Sequence, residues 1–433
     1  MVTRNYQTYL YNYPKQTYGN KWGGSDYLDD ELSSSSSSTS ESSSSSSSEG
    51  FSESSSSSSS TSCSSSSSSS SSSSEGIWGN SFSITIPRER VGCNLTDFPV
   101  LLHLSASSAG IEDADVSAIF DELGNNSKRI KLEDQNSDQC YIEIESWDSV
   151  GEEAYLWAKV ASIPTGDDIT LTFYYDNNQA DNTAYVGTVN SSVSENVWNS
   201  DYEAVWHISE GGVGTRYDST TNDNDGTPQN YDGDEAVTGK IDGADDLNST
   251  DYINCGAIDI STSTLTISGW VDVDSFQAAS PYISTLAGIE EGVGAASQAA
   301  LVRFGDAFLD KQKAQFVLCD SSGAQVKLDG NAQLQTGQWY HVAATYDGSD
   351  MVIYLNGEID ASNSGQISGA IQGTGTFKIG QSDVGRYLDG TIDDLRVMTS
   401  ALSDCEVKAH YYSGDDNFII WGSGDLSSSS SSS

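Results

Sequence analysis

Basic residues are scarce in this 433-residue sequence. Lys and Arg number 19 against 63 Asp and Glu, a formal net charge of −44. Nucleic-acid backbones are gripped by clustered Lys and Arg, and anionic membrane surfaces attract the same residues, so neither is an expected partner. Such acidity suits a chain kept soluble by self-repulsion or one that collects divalent cations. Long apolar runs are also missing. A stretch such as FPVLLHL (Phe98–Leu104) falls far short of the roughly eighteen residues of a membrane helix and reads as a buried strand. No membrane insertion is expected. The opening MVTRNYQTYLYNYPKQTYGNKWGG has neither the apolar segment nor the small-residue cleavage site of a Sec signal peptide. The expected routes are retention, lysis, dedicated secretion or virion assembly. Cysteines are few, six in all, with no CxxC spacing, which excludes a zinc ribbon or a thioredoxin-type motif. Cys63 sits in a serine tract and reads as free. The remaining five are odd in number, so their pairing stays open.

What the chain has instead is segmentation. Residues 1–32 are Tyr- and Gly-rich and too short for a core; a docking peptide and simple disorder are both compatible with them. Residues 33–75 are nearly pure serine, the composition of a disordered tether. Serine returns at the end of the 415–433 tail, so the C-terminal run reads as a further linker. Between these lie short β-branched and aromatic runs separated by turn residues, such as SFSITIP, YIEIESW, DITLTFYY, QWYHVAATYDG and DMVIYLNGEID. Alternation is clear in Trp339–Thr345 and Met351–Leu355. The expected fold is all-β: two antiparallel sandwiches, at 76–200 and 201–414, joined near residue 200 and flanked by disordered serine-rich segments. The best helix candidate is ALSDCEVKAHYYS, where Ser403 and Glu406 can form a capping box.

Several blocks of the second half occur in a familiar order: AVWHISEGGVGTRYDSTTNDNDGT, GKIDGADDLNSTDYINCG, LTISGWVDVDSF, GQWYHVAATYDGSDMVIYLNGE and GTIDDLRVMTSALSDCEVKAHY. Over about residues 201–413 the chain resembles the LamG-like, concanavalin A-like jelly roll. The blocks TDFPVLLHL, YIEIESWDSVGEEAYLWAKVASIP and ITLTFYYDN, over about 80–190, resemble the bacterial domain of unknown function 2341, although Asp176 and Asn177 follow the Tyr pair where that domain has Gly.

The LamG resemblance implies a structural calcium ion held by an acid on the last strand and a polar loop near the domain start. The matching residues are Asp218, Asn222 and Asn224 in DSTTNDNDG, with Asp393. Strand neighbours point to opposite faces, so Asp393 is expected to share the Leu395 and Val397 face, and Asp394 to lie beside Arg396 on the other. The competing reading is a solvated Asn/Asp turn.

Catalytic signals are poor. The Glu-x-Asp-x(x)-Glu run of fold relatives that cleave polysaccharides is missing; Asp272 and Asp274 share a face without a third acid. Glu143 and Glu145 alternate with Ile142 and Ile144 and read as the solvent side of an amphipathic strand. His207 and His341 read as packing residues, and Trp78, Trp198 and Trp421 as exposed aromatics. The expectation is a non-enzymatic recognition or adhesion protein for a glycan or surface-protein ligand, extracellular, cell-surface or virion-borne. A phage or prophage tail-fibre component leads; a bacterial surface adhesin and a carbohydrate-binding accessory module or glycoside hydrolase are the alternatives.

Overall fold

The structure, a computed structural model, describes residues 77–426 except 249, 293–297 and 384. The Tyr-rich segment 1–32 and the serine-rich linker 33–75 lie outside these residues, as does the final serine run.

Turn-separated apolar alternation gives twenty-three strands and two α-helices among the described residues. The first sandwich contains β1 (Asn80–Ile86), β2 (Leu95–Ser105), β3 (Ile130–Glu133), β4 (Ile142–Asp148), β5 (Glu153–Ile163), β6 (Ile169–Tyr175) and β7 (Val186–Thr188), with the short helix α1 (Ala118–Leu123). The second contains β8 (Tyr202–Trp206), β9 (Thr227–Gln229), β10 (Ala236–Thr238), β11 (Gly243–Leu247), β12 (Tyr252–Asp259), β13 (Leu265–Val273), β14 (Ser284–Glu291) and β15 (Gln298–Phe304). It continues with β16 (Ala314–Cys319), β17 (Gln325–Asp329), β18 (Trp339–Tyr346), β19 (Asp350–Leu355), β20 (Glu358–Ser364), β21 (Thr374–Ile379) and β22 (Gly390–Met398). Helix α2 (Asp404–Gly414) and β23 (Ile420–Leu426) follow.

Two four-stranded sheets, β23-β1-β6-β3 and β2-β5-β4-β7, face each other in the first sandwich. Their inward positions, among them Ile84, Val100, Leu102, Ile142, Leu156 and Phe173, form one core. The second sandwich pairs an eight-stranded sheet, β10-β11-β22-β13-β18-β19-β20 with β8 also on β22, against a seven-stranded one, β17-β16-β15-β14-β21-β12-β9. Ile267, Val271, Phe316, Ile353, Phe377 and Leu395 lie in its core.

The two sandwiches are not separate beads. Residues after α2 run back into the first one: β23 pairs antiparallel with β1, and Phe418, Ile419 and Trp421 enter its core. The second sandwich is thus inserted between β7 and the last strand of the first, and residues 420–426 are a sheet strand rather than part of a tail. Cys93, just before β2, is disulfide-bonded to Cys405 in the first turn of α2, 312 residues away in sequence. Helix α2 carries the capping box expected of Ser403 and Glu406. It lies between the sandwiches, sending Ala409 into the first core and Val407 against Ala343 and Tyr354 of the second.

A third apolar cluster marks the seam itself. Leu101 and Trp157 from the outer face of the β2-β5-β4 sheet meet Trp198, Val205, Trp270 and Met398. Trp198 and Trp421 are buried, contrary to the expectation of exposed aromatics, because each is needed as apolar volume at a seam or core that the local pattern does not reveal. Trp78 is half-buried, with the Lys131 ammonium over its ring.

Candidate functional site

The opposite face of the second sandwich carries a groove. It runs over the outer surface of the seven-stranded sheet, with a volume of about 820 Å³. Strand alternation supplies its floor: the positions between inward Ala287, Ile289, Phe377 and Ile379 point outward. Glu290 and Glu291 come from β14, Lys378 from β21, Gln325 from β17, and Ser382 and Arg386 from the loop after β21.

Charge pairing fixes these groups. Glu290 receives Arg386 at 2.5 Å and the Ser382 hydroxyl at 2.8 Å, with Arg303 at 3.7 Å. Arg303, itself buried, donates from Nε to Gln315 Oε1 at 2.8 Å, and Gln315 donates to Asp329 at 2.6 Å. Asp306 accepts Lys327 at 2.8 Å and the Phe308 N–H at 2.7 Å, contacts that outweigh burial and hold its carboxyl below the usual range. Glu291 accepts the Thr376 N–H at 2.8 Å. The result is a preorganised array of carboxylate, guanidinium, ammonium, amide and hydroxyl groups. Aromatic rings border it. Tyr252 and Tyr387 lie 6.5 Å apart, and Lys378 stands over Tyr252. Phe308 and Tyr282 are exposed on loops next to the β15 end of the same sheet. Sequence reasoning passed over all these residues, because they lie on six separate segments and share no motif. The outward polar positions of β14 and β21 were the one available signal.

The residues expected to hold calcium do not assemble into such a site. Asp218 spends both oxygens on the protein: Oδ1 accepts the Val205 and Thr220 N–H groups at 3.0 Å each, and Oδ2 accepts the Asn224 N–H and the Thr220 hydroxyl at 2.9 Å each. Asn222 and Asn224 donate their side-chain amides to the Glu203 carbonyl at 3.0 and 2.8 Å. The loop is a self-satisfied turn laced to β8. Asp393 is elsewhere, accepting the Ile241 N–H at 2.7 Å at the seam. Four residues with different, already committed partners do not fit a six- to eight-oxygen calcium shell. Among the described residues, Asp232, Asp234 and Glu235 bring carboxylates within 4.8 Å of one another, yet Glu235 is already bonded to the N–H groups of Asp232 and Gly233.

Asp393 and Asp394 do not point to opposite faces either. Gly269 of β13 stands opposite both Asp394 and Leu395, a β-bulge in which Asp394 takes φ +45°. Ile392, Leu395 and Val397 face the core, while Asp393, Asp394 and Arg396 all face the seam. Asp394 does lie beside Arg396, at 2.8 Å. A second bulge, at Glu145 in β4, turns that acid the same way.

Glu143 and Glu145 are therefore not solvent-facing; neither side chain exposes any surface. Glu143 accepts Trp198 Nε1 at 2.6 Å and the Ser219 hydroxyl at 2.8 Å, and pairs with His207 Nε2 at 3.2 Å. Glu145 accepts Trp157 Nε1 at 2.8 Å. Arg396 stacks over Trp157 and Trp198 and reaches His410 Nδ1 at 3.1 Å. His207 is a seam residue rather than simple packing. Burial opposes its charge, but Glu145 and Glu143 outweigh burial and raise its pKa.

The architecture defines a lectin-like β-sandwich welded to a smaller sandwich. Residues 247–408 match the Concanavalin A-like lectin/glucanases superfamily (Laminin_G_3), and residues 126–208 match the domain of unknown function DUF2341. The second match runs from the first sandwich through β8 to Ile208, so it includes Glu143, Glu145, Trp198 and His207 of the seam. No curated protein matches the chain. Among the solved structures that align with about half of it are the following. Domain 4 of AbnA, an extracellular arabinanase of Geobacillus stearothermophilus, in complex with arabinotriose, is 21% identical, with 48% of this chain and 97% of that chain covered and a TM-score of 0.38. The binding domain of Paraclostridial Mosquitocidal Protein 1 is 15% identical, with 48% and 53% covered and a TM-score of 0.37. The ligand-binding domain of botulinum neurotoxin serotype D, in complex with N-acetylneuraminic acid, is 15% identical, with 49% and 50% covered and a TM-score of 0.35.

Proposed function

We propose that this protein is a non-catalytic recognition module that binds a glycan in the groove on the seven-stranded sheet. The observation that carries the reading is the preorganised polar floor, in which Glu290, Arg386 and Ser382 are already locked in charge-assisted bonds. Such fixed, forked donors and acceptors suit pairs of sugar hydroxyls, and bordering aromatic rings suit the apolar faces of pyranoses. The superfamily match, which spans lectins and glucanases, supports the same ligand class.

Hydrolysis is the weaker reading. A glycosidase needs two carboxyl groups free to act on opposite sides of the bond. Glu290 is engaged by Arg386, Arg303 and Ser382, and Glu291 by the Thr376 N–H. The Cys93–Cys405 disulfide supports an oxidising, extracellular setting. Within that setting a phage tail fibre is the leading proposal and a bacterial adhesin the second; neighbouring tail and baseplate genes would favour the first, secretion genes the second.

A glycan array probed with residues 76–426 tests the proposal. The wild-type protein should select a small set of glycans, and Arg386→Ala should lose at least roughly tenfold in affinity for them, the scale of one charge-assisted bond. Absence of any hit, or unchanged binding by the variant, overturns it.

A further inference from the structure

The seam between the sandwiches holds more acid than its bases can neutralise. Glu143 and Glu145 from β4 and Asp393 and Asp394 from β22 face one guanidinium, Arg396, and one imidazole that carboxylates hold charged, His207. Partners are shared unevenly. Glu143 has three, and Asp394 has Arg396 at both oxygens. Glu145 and Asp393 are left with bare atoms: Glu145 Oε1, Asp393 Oδ1 and also His207 Nδ1 are buried without a hydrogen-bond partner. His207 Nδ1 lies 3.5 Å from Glu145 and 3.6 Å from Asp394. Asp393 Oδ2 accepts the Ile241 N–H at 2.7 Å and Gly239 packs against it, where a Cβ would lie 2.5 Å away, so only Oδ1 is left bare. A buried carboxylate with one bare oxygen is strongly penalised, whereas a carboxylic acid in the same place is penalised far less.

We propose that this seam is a proton-binding site: Glu145 and Asp393 are protonated acids while the two sandwiches are joined, and loss of their protons loosens the seam. With both neutral, Glu143 and Asp394 are balanced by His207 and Arg396. The titration trends agree. Burial pushes Glu145 up to about 8, with Asp394 adding repulsion, and burial together with Glu145 raises Asp393. Arg396 and His207 outweigh burial and hold Asp394 ionised.

The other groups facing the pair set the pH window. Asp242, between β10 and β11, is raised by burial and acts on both Glu145 and His207. Glu210 lies near His207, and Glu153 near Asp242. Lys240 is turned away, paired with Asp415 at 2.7 Å. From β18, burial and then Arg396 push His341 down to about 4; on α2, burial and then Arg396 lower His410. Depressed histidines contribute stability above their ordinary value near 6.5, which is lost as pH falls toward 4. Raised acids act the other way: their contribution is complete below about 4.5 and disappears as pH rises through the folded value. Above about pH 7.5 the two depressed histidines have finished titrating, and the seam acids, together with the raised His207, set a downward trend.

The test is thermal melting of the full chain between about pH 7.5 and 9. The wild-type melting temperature should fall by several degrees across this range. Glu145→Gln and Asp393→Asn, which imitate the protonated acids, should each flatten the fall. Infrared difference spectra of the unsubstituted protein need no variant: a carboxylic acid C=O band should be present at pH 7 and weaken as pH rises. A flat wild-type profile, variants that fall in parallel with it, absence of the band at pH 7, or one equivalent of tightly bound metal by elemental analysis would each overturn the proposal.

Discussion

Glu143 Oε2 lies 3.2 Å from His207 Nε2, and the pair joins the two sandwiches with at most 1% of either side chain exposed. A pair this deeply enclosed is costly to break from one side, because the remaining charge stays buried. Glu143→Ala also leaves Trp198 Nε1 and the Ser219 hydroxyl without their acceptor. The expected loss is about 3–5 kcal/mol, measured by guanidinium denaturation. A loss near zero would mean that the seam relaxes or admits water on truncation.

The Cys93–Cys405 bond fastens the first sandwich to α2. Its removal by Cys93→Ser with Cys405→Ser should cost about 2–5 kcal/mol, the usual range for a native disulfide. Melting curves with and without reductant should show the same difference for the wild-type protein and none for the double variant.

Strand β23 closes the first sandwich from the far end of the chain. Trp421 is 4% exposed, stands edge-on to Phe82 and Phe173, and donates to the His103 carbonyl at 3.1 Å. Trp421→Ala should destabilise by about 3–5 kcal/mol. A protein shortened to end at residue 414 should expose the first core and bind a hydrophobic dye. A folded, dye-silent product would show that β23 is dispensable.

The strands, the capping box of α2 and the concanavalin A-like half were legible in the sequence because each rests on local signals: alternation, turn residues and a Ser-x-x-Glu spacing. The misread parts depend on long-range structure. Alternation in YIEIESW correctly separates Ile142 and Ile144 from Glu143 and Glu145, but cannot say whether the second face meets water or another sheet. Strict alternation also failed at Asp393 and Asp394, since a bulge shifts the period by one residue and Gly269, its cause on the neighbouring strand, is 124 to 125 positions away in sequence. NFIIWGSG reads as a short apolar end because its partner, β1, lies more than 300 residues earlier.

The partners of Asp218 and Asp393 predict the response to calcium. Asp218 is saturated by its own loop and by β8, and Asp393 belongs to the seam. EDTA should therefore leave the melting curve of the wild-type protein unchanged, and added calcium should not raise it. A chelator-sensitive transition that vanishes in Asp218→Asn would restore the calcium reading.

On the proposed reading, ligand binds in the groove over β14 and β21. Hydrogen–deuterium exchange of residues 76–426, with and without the tightest-binding glycan from the array, tests it most directly. Exchange should slow in Ser284–Glu291, Thr374–Ile379 and the loop carrying Ser382 and Arg386, with the Asp218–Gly226 loop unaffected. Protection confined to that loop or to the first sandwich, with β14 and β21 unchanged, would contradict it.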